Sequence, residues 1–536
     1  MFYFILSFIL VFSAKSESDF DQAYEKLSLE ERVSQLLFIG YRSVDQLKDI
    51  KAGGVALFSW NMSSATDAKK LSDEIKTKVN SAWPPFIATD HEGGRVLRIR
   101  SGITPFPDAL ALGATADPKM AFEVGKLQAQ ELRALGINTN FAPVLDLGNA
   151  RSFLQNRVWG NDPEQVSKMT IAYMQGLKDA GVLSVAKHFP GHGGSDVDAH
   201  FGRPIIKKSW EDIWRWDLLP FRKIIDAGAP ALMTAHAEFE SVDRGPASSS
   251  KVLLTHVLRQ TLHYEGLVIS DDLEMQAARG LEGLSIGELA LQSLKAGGDM
   301  VMVVWSRSDQ KKVKLRLMSA VISGELPEYE LKQKLKRIWD LKALYKNTES
   351  NEKENQWRQQ LAKRSSIELV REILKKALKW EAGQENPILK AFSNLKSKVW
   401  KVYVPDGRLV GSWNKYRHHD EVSVISKRLN PTDRSHYLNE IKKNIKEGQP
   451  MLLITPPRAQ GDEPLFLGFL DMVKKLQAKE KNPLPILWLH QGSMPIQVSS
   501  RMEKDLKIGV LSLASTSPYS LSAFTEFFRE KLKSIE

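Results

Sequence analysis

Cysteine is absent from all 536 residues of the sequence. Its absence excludes disulfides, thiolate zinc sites, cysteine nucleophiles and lipid attachment through cysteine. The chain also has no repeat of fixed period, no low-complexity tract and, after its N-terminus, no apolar run long enough to cross a bilayer. It contains no zinc-knuckle, RNP or helix-turn-helix pattern, and no basic cluster alternates with aromatic residues. Nucleic acid is therefore not an expected partner.

The composition describes a large globular chain with an excess of positive charge. A hydrophobic fraction of 42% over this length is enough for an extensive core and for two or more domains. The net charge of +11 suits an anionic partner such as a cell envelope or an acidic polymer. The same charge is also explained by solubility alone, and the composition leaves both interpretations open.

The N-terminus, MFYFILSFILVFSAKSES, begins with a largely apolar run from Phe2 to Phe12. The run is too short for a membrane span and has the length of the apolar region of a signal peptide. Small residues favour cleavage after Ser13 or Ser16, so residues 1–16 are expected to be a signal peptide of an exported, periplasmic or secreted protein. No Lys or Arg precedes the run. An uncleaved membrane anchor is therefore the alternative.

Short apolar runs alternate with longer amphipathic segments through the first part of the chain. The runs lie at 36–40, 54–59, 85–90, 137–147, 182–189, 231–236, 266–272 and 300–304. The intervening segments 117–136 and 162–181 have apolar residues at helical spacing, open with Asp-Pro and close on Gly. Buried strands that alternate with such helices predict a (β/α)8 barrel over residues 17–345. An open doubly wound sheet is disfavoured because no Gly-x-Gly-x-x-Gly follows the first run.

The composition changes near Tyr345, which marks a second unit. Residues 346–390 are highly charged and are expected to form a helical linker, with an amphipathic helix at 365–380. Residues 391–536 are expected to form a smaller α/β sandwich-like domain. Its predicted strands are the apolar runs at 399–406, 421–427, 450–457, 485–492 and 507–515. No cluster of His, Asp or Glu occurs there, so this domain is interpreted as a packing or substrate-presenting partner.

Polar side chains gather at the carboxyl ends of the predicted barrel strands, where barrel enzymes place their active sites. The strand-end residues are Asp90, Lys187, His188, His236, Asp271 and Asp272. The stretch KHFPGHGGSDVDAH, at 187–200, follows the fifth strand and holds three histidines and two aspartates in fourteen residues. The convergence of these groups on one rim predicts a functional site. Metal-dependent hydrolysis, glycoside hydrolysis and sugar binding without catalysis are the three chemistries considered.

A metal-dependent hydrolase would use nitrogen and oxygen ligands. The candidate ligands are His188, His192, His200, His236 and Asp271. The first strand carries no His-x-His pair, and the 187–200 stretch lacks the helical His pair, four residues apart, of a zincin. A metal centre is thus the weaker interpretation.

Glycoside hydrolysis with retention needs a carboxylate nucleophile on one side of the anomeric carbon and a proton donor on the other. Asp271 ends a strand, which gives a nucleophile a rigid position. Asp198 and His200 form an Asp-x-His pair on a glycine-rich loop, where the aspartate can orient the imidazole. A histidine that titrates near neutral pH can protonate the leaving oxygen and then accept a proton from water.

Three ordered motifs resemble glycoside hydrolase family 3, in its β-N-acetylglucosaminidase (NagZ-like) branch. They are DHEGGRVLR at 90–98, KHFPGHG-x(4)-D-x-H at 187–200 and SDDLEM at 270–275. The resemblance covers about Ser28 to Tyr345. It implies a catalytic set of Asp271 as nucleophile, His200 as acid/base and Asp198 as its partner. It implies sugar-binding roles for Asp90, Arg98, Arg157, Lys187 and His188.

The resemblance implies a retaining exo-β-N-acetylglucosaminidase that acts on GlcNAc-containing glycans, either cell-wall fragments or chitin oligosaccharides, without a metal or organic cofactor. A β-N-acetylglucosaminide phosphorylase and a β-glucosidase of the same family are the alternatives. The loop after the fourth strand reads NRVWGNDP where the family has Ser-Phe in place of Val-Trp. Arg151 is therefore a rival to Arg157. Glu92 is expected to pair with Arg95 or Arg98, or to serve as an alternative acid.

Overall fold

The computed structural model describes most of the chain up to residue 382 and selected segments after it. The described residues are 19–79, 82–148, 154–195, 197, 199, 202–279, 283–345, 356–382, 401–404, 421–424, 443, 451–455, 486–491, 508–513, 523 and 527. The predicted signal peptide, residues 1–16, lies outside them. Among the described helices, none has the length and apolar character that a bilayer crossing requires.

Eight parallel strands close into a barrel, which confirms the predicted fold class. The strands are β1 (Leu37–Gly40), β2 (Gly54–Leu57), β3 (Phe86–Thr89), β4 (Thr139–Asn140), β5 (Leu183–Phe189), β6 (Ala231–Thr234), β7 (Leu267–Asp272) and β8 (Met300–Val303). Each strand pairs with its sequence neighbours, and β1 pairs with both β2 and β8 to close the ring. Nearly every strand residue is buried, because the barrel interior and the helices cover opposite faces. This explains the continuous apolar runs in the sequence.

Helices surround the barrel, and two of them lie where the amphipathic segments 117–136 and 162–181 predict. Their bounds are Leu29–Ser34, Val44–Ile50, Ala65–Lys78, Ala109–Ala114, Pro118–Ala134, Pro163–Asp179, Trp210–Asp212, Leu219–Asp226, Ile286–Ala296, Arg307–Ile322 and Glu328–Leu344, with π-helical turns at Ile213–Asp217 and Val252–Thr261. The two Asp-Pro segments begin as predicted, since Asp117 and Asp162 accept hydrogen bonds from backbone amides of the first turn. These two helices pack closely at Gly125, where an added Cβ would lie 2.2 Å from the Tyr173 carbonyl oxygen.

Short strands extend the barrel rim where the candidate site residues lie. His91–Gly93 and Val96–Leu97 form a two-stranded antiparallel sheet after β3. Ile205–Ile206, Glu238–Phe239 and Asp243–Pro246 form a three-stranded sheet after β5 and β6. The carboxyl ends of the barrel strands therefore carry structured loops, which fix the polar residues on them.

The C-terminal region contains a six-stranded sheet. Its strands are β9 (Leu378–Ala382), β10 (Lys401–Val404), β11 (Glu421–Val424), β12 (Met451–Thr455), β13 (Ile486–Gln491) and β14 (Ile508–Leu513), in the order β9-β14-β13-β12-β10-β11. The last five strands are mutually parallel and match the five predicted runs, while β9 pairs antiparallel with β14. The sheet thus begins inside the segment 346–390, directly after the helix Arg364–Ala377. Apart from residue 443, the segments that connect the strands from β10 to β14 lie outside the described residues.

Candidate active site

A cavity of about 300 Å³ lies at the carboxyl ends of the barrel strands. Six of the predicted site residues line it, namely Asp90, Arg98, Arg157, Lys187, His188 and Asp271. They come from four separate strand ends, and the closed barrel brings them together because all eight carboxyl ends meet at one rim.

Asp90 stands between two cations. Its carboxylate accepts hydrogen bonds from Lys187 Nζ at 2.7 Å and from Arg98 Nη2 at 2.8 Å. Burial raises the pKa of Asp90, but the charges of Lys187 and Arg98 outweigh burial and hold the pKa well below the usual range. Asp90 is therefore an ionised acceptor with its geometry fixed, which suits it to bind sugar hydroxyl groups.

Glu92 forms the second ion-pair cluster of the cavity wall. It makes a bidentate pair with Arg157, at 2.9 Å and 2.8 Å, and accepts a third contact from Lys187 Nζ at 2.8 Å. Burial raises the pKa of Glu92, but Arg157 and Lys187 lower it to about 2. The expected pairing with Arg95 or Arg98 was wrong, because the short rim sheet turns Glu92 toward β5. A carboxylate ionised at neutral pH has no proton to donate, so the acid role considered for Glu92 is not supported.

Replacing Glu92 by alanine is expected to lower the free energy of unfolding by about 3–5 kcal/mol, because Arg157 and Lys187 would each lose a buried partner. Chemical denaturation monitored by circular dichroism measures the change. Glu265→Ala, at an exposed position of the same barrel, is the control and is expected to change the stability by less than about 0.5 kcal/mol. Equal midpoints for the two variants would show that the cluster does not stabilise the fold.

Two stacked histidines lie beside a buried aspartate that follows β4. The rings of His188 and His192 are 4.7 Å apart and nearly parallel, with an interplanar angle of 18°. Asp146 lies 2.6 Å from His188 Nδ1 and accepts hydrogen bonds from the backbone amides of His188 and His192. An ionised Asp146 requires the proton on Nδ1 of His188, which leaves Nε2 for a ligand in the cavity. Burial lowers the pKa of His192 to about 4, so His192 is neutral at pH 7.

Asp146, His188 and His192 also form a group close enough to hold a metal ion, since one ligand atom from each lies within 4.8 Å of the others. Their contacts argue for another role. Nδ1 of His188 and the Asp146 oxygen are 2.6 Å apart, the distance of a charge-assisted hydrogen bond. Two ligands of one tetrahedral zinc ion lie more than about 3 Å apart, given metal–ligand distances near 2.0–2.1 Å. The group is therefore built as a hydrogen-bonded support for His188.

Asp271 lies at the end of β7, with its carboxylate on the cavity wall. Its Oδ1 accepts a hydrogen bond from the backbone amide of Asp272 at 2.8 Å. Burial raises the pKa of Asp271, but His188, His236 and that hydrogen bond lower it overall. The side chain is thus an ionised, rigidly placed carboxylate.

The neighbouring Asp272 has the opposite electrostatic character. Burial and the charge of Glu274 raise the pKa of Asp272 to about 8. Its Oδ1 accepts hydrogen bonds from the backbone amides of Glu274 and Val304, both at 3.2 Å. His236 is buried beneath it and contacts the Asp272 carbonyl through Nε2 at 3.0 Å and Ser248 through Nδ1 at 2.7 Å. These groups form the structural support that holds Asp271 in place.

An aromatic stack occupies the cavity rim on the side of β1, β2 and β8. Phe58 stacks on Trp60 with ring centroids 4.5 Å apart, and Trp60 lies 4.4 Å from Trp305. The Arg42 guanidinium lies over both indoles, at 5.0 Å and 5.5 Å. Trp60 and Trp305 are 42% and 52% exposed.

Asp198 and His200 lie outside the described residues, and so does Arg151, the rival of Arg157. The residue between the predicted pair, Ala199, is described. It lines the cavity and its carbonyl accepts a hydrogen bond from the Ala277 amide at 3.2 Å. This contact ties the 187–200 loop to the segment that follows Asp271.

Sequence reasoning did not identify Asp146, Trp60 or Trp305 as residues of the site. Asp146 lies in the apolar run 137–147, which was predicted only as a strand. A lone charged residue in a buried run indicates a partner or a function, because burying an unpaired charge is costly. The two tryptophans lie 245 positions apart, just after β2 and β8. No local pattern joins them, because the contact exists only once β1 brings those strands side by side.

The chain is similar to known proteins over the barrel region. Residues 28–341 match the family model described as the glycosyl hydrolase family 3 N-terminal domain. The chain is 42% identical over 265 residues to a β-hexosaminidase of Thiobacillus denitrificans, covering 48% of this chain and 73% of that protein.

Two solved structures are similar over much of the chain. One is a glycoside hydrolase family 3 β-N-acetylglucosaminidase from a Paenibacillus species, with a TM-score of 0.80 and 27% identity over 94% of this chain and 97% of that one. The other is NagZ from Neisseria gonorrhoeae in complex with N-trifluoroacetyl-D-glucosamine. Its TM-score is 0.54 at 28% identity, over 64% of this chain and 98% of that one.

Proposed function

This chain belongs to glycosyl hydrolase family 3 and is a glycoside hydrolase, and we propose that it releases terminal β-linked N-acetylglucosamine with retention of configuration. Asp271 attacks the anomeric carbon and forms a glycosyl-enzyme. His200, oriented by Asp198, protonates the leaving oxygen and then activates water. The observation that carries the proposal is an ionised Asp271 at a strand end, in the same cavity as the cation-bound Asp90.

The nucleophilic role of Asp271 is supported by its charge and rigidity. A retaining nucleophile must be ionised while the sugar binds, and the lowered pKa of Asp271 provides that state at neutral pH. The backbone amide of Asp272 fixes one carboxylate oxygen at 2.8 Å, which leaves the other oxygen for the anomeric carbon. A carboxylate that is held in place before the sugar binds lowers the entropic part of the barrier.

The acid/base role of the 187–200 loop is supported by the position of Ala199. This residue stands between Asp198 and His200 in the sequence and lines the cavity, and its hydrogen bond with Ala277 connects the loop to the Asp271 segment. In the proposed mechanism, the imidazole of His200 acts on the side of the sugar opposite Asp271. Closure of the loop would also exclude water while the glycosyl-enzyme forms.

The sugar-binding role is supported by the ion-pair clusters. Asp90 can accept hydrogen bonds from two hydroxyl groups, and Arg98, Arg157 and Lys187 can donate to ring substituents. Their partners hold each donor before the substrate arrives, so little side-chain entropy is lost on binding. His188, oriented by Asp146, adds a donor or acceptor at Nε2.

The substrate class is proposed from the relatives and from the charge of the chain. The similar proteins named above are β-hexosaminidases and β-N-acetylglucosaminidases. Cell-wall fragments are the first candidate and chitin oligosaccharides the second. An exported protein with a net charge of +11 would meet an anionic wall polymer, and its binding to peptidoglycan would weaken as salt is added.

Hydrolysis of chromogenic substrates tests this proposal. The protein is expected to cleave aryl β-N-acetylglucosaminide at least about 100-fold faster than aryl β-glucoside, measured as kcat/KM, because a site that hydrogen-bonds the acetamido group loses that contact with glucose. The first product seen by proton NMR is expected to be the β-anomer. A preference for the glucoside, or an α-anomer as the first product, would refute the assignment.

The same assay with inorganic phosphate separates hydrolysis from phosphorolysis. A histidine acid/base repels an approaching phosphate less than a carboxylate would, so phosphate could replace water in the second step. Free N-acetylglucosamine as the product in the presence of phosphate supports the hydrolase. The accumulation of a sugar 1-phosphate would identify a phosphorylase.

A further inference from the structure

The aromatic stack of Phe58, Trp60 and Trp305 has no part in the chemistry described so far. Its residues follow two strands of the barrel, β2 and β8, which both pair with β1. Phe58 and Trp60 follow β2, and Trp305 follows β8. All three rings line the same cavity as Asp271. The stack is therefore a wall of the substrate cavity.

The stack is held in place by hydrogen bonds of the backbone around it. The amides of Trp305 and Ser306 both donate to the carboxylate of Glu274, which ties the end of β8 to the loop after Asp271. On the other side, the Asn61 side chain accepts from the Phe58 amide and donates to the Tyr41 carbonyl oxygen, each at 3.0 Å. The rings are thus positioned before any ligand binds.

The stack extends from the polar cluster toward solvent. The Arg98 guanidinium, which binds Asp90, lies 5.7 Å from the centre of the Phe58 ring. Phe58, Trp60 and Trp305 then follow one another outward, and exposure rises to 52% at Trp305. The side chain of Asp90 is only 13% exposed and that of Lys187 only 3%. A glycan with its terminal ring at Asp90 would place its next ring at the outer part of the cavity.

We infer that Trp60 and Trp305, backed by Phe58, bind the second sugar ring of the substrate, which leaves with the glycosidic oxygen. This inference rests on the proposed function and adds the site for the leaving group. A β-linked pyranose with equatorial substituents has an apolar face of axial hydrogens, which packs on an indole ring. The Arg42 guanidinium supports both indoles by cation–π contacts. The chemical class of the leaving group is therefore a saccharide.

A pair of substrates that share the terminal sugar tests this site. The leaving group is N-acetylglucosamine in the β-1,4-linked disaccharide and a methyl group in methyl β-N-acetylglucosaminide. Trp305→Ala is expected to lower kcat/KM for the disaccharide about tenfold, since it removes one stacking contact, and to leave the methyl glycoside within about twofold. Trp305→Gln serves as a second variant, because a polar side chain suits an exposed position and offers no aromatic face.

Trp216→Ala provides the matched control, since this tryptophan is 51% exposed and does not line the cavity. Unchanged kcat/KM values for both substrates in this control, with a loss confined to the disaccharide in the Trp305 variants, support the site. An equal loss on both substrates, or no loss on either, would overturn it while leaving the proposed function intact. Failure of the unmodified protein to cleave either substrate would instead refute the proposed function.

Discussion

Replacing Asp271 by alanine is expected to lower kcat for the hydrolysis of aryl β-N-acetylglucosaminide by on the order of 10⁴-fold, while KM changes little. The physical reason is that the covalent intermediate forms only on this carboxylate. Single-turnover and steady-state rates of the purified variant measure the effect. The unfolding midpoint is expected to stay within a few degrees, because the Asp271 carboxylate accepts a hydrogen bond from the adjacent Asp272 amide and the groups that support this strand end remain.

Addition of a small anion to the Asp271→Ala variant distinguishes loss of the nucleophile from distortion of the site. In Asp271→Ala, added azide can occupy the space of the carboxylate and attack the anomeric carbon once, so the expected product is the α-glycosyl azide. Asp226→Ala, an exposed aspartate at a helix end, is the control and should retain full activity. Full activity in Asp271→Ala would show that the nucleophile lies elsewhere.

Replacing His200 by alanine is expected to lower kcat/KM by about 10²–10⁴-fold for a glycoside whose leaving oxygen needs a proton. A dinitrophenyl glycoside, whose phenolate leaves without help, should lose much less in the first step. The comparison of the two leaving groups isolates proton donation from binding, because the terminal sugar is the same. A uniform loss on both substrates would assign His200 to binding.

The pH dependence gives a second measure of the same role. A histidine that must be protonated to donate produces activity that is present below its pKa and lost as the pH rises through it, near 6.5 for an unperturbed side chain. Asp271 acts in the opposite sense, since its lowered pKa keeps it ionised and active down to acidic pH. The alkaline limb of kcat/KM is therefore expected to disappear in His200→Ala while the acidic limb remains.

The candidate site places an ionised and a protonated carboxyl group next to each other on one strand of the barrel. Adjacent carboxyl groups on β7 differ in pKa because Asp271 faces the imidazoles and Asp272 faces Glu274 and apolar neighbours. Pairs of titratable groups whose surroundings push their pKa values apart are a feature of catalytic sites. Here the ionised member is Asp271, and the protonated member, Asp272, is held by the backbone amide of Val304, just after β8.

Much of the fold follows from local chemistry that the sequence displays. The strands are continuous apolar runs because both of their faces are buried, and the helices at 118–134 and 163–179 begin at Asp-Pro because the aspartate caps the first turn. β9 was missed because Leu378–Ala382 follows the helix Arg364–Ala377 directly, without a turn signal, although its alternation of apolar and charged residues is itself typical of a strand. Its pairing partner, β14, lies over a hundred residues away.

By itself, the sequence determined that a barrel rim would carry Asp90, Arg98, Lys187, His188 and Asp271, because strand ends and family motifs are local patterns. Only the tertiary structure decided which residues pair. Glu92 forms ion pairs with Arg157 and Lys187. Asp146 orients His188, and Trp60 contacts Trp305. The physical reason is the distance along the sequence between the residues that interact. A cap or a strand depends on residues a few positions apart, whereas an ion pair or a ring stack forms wherever closure of the barrel brings distant strand ends within a few ångströms.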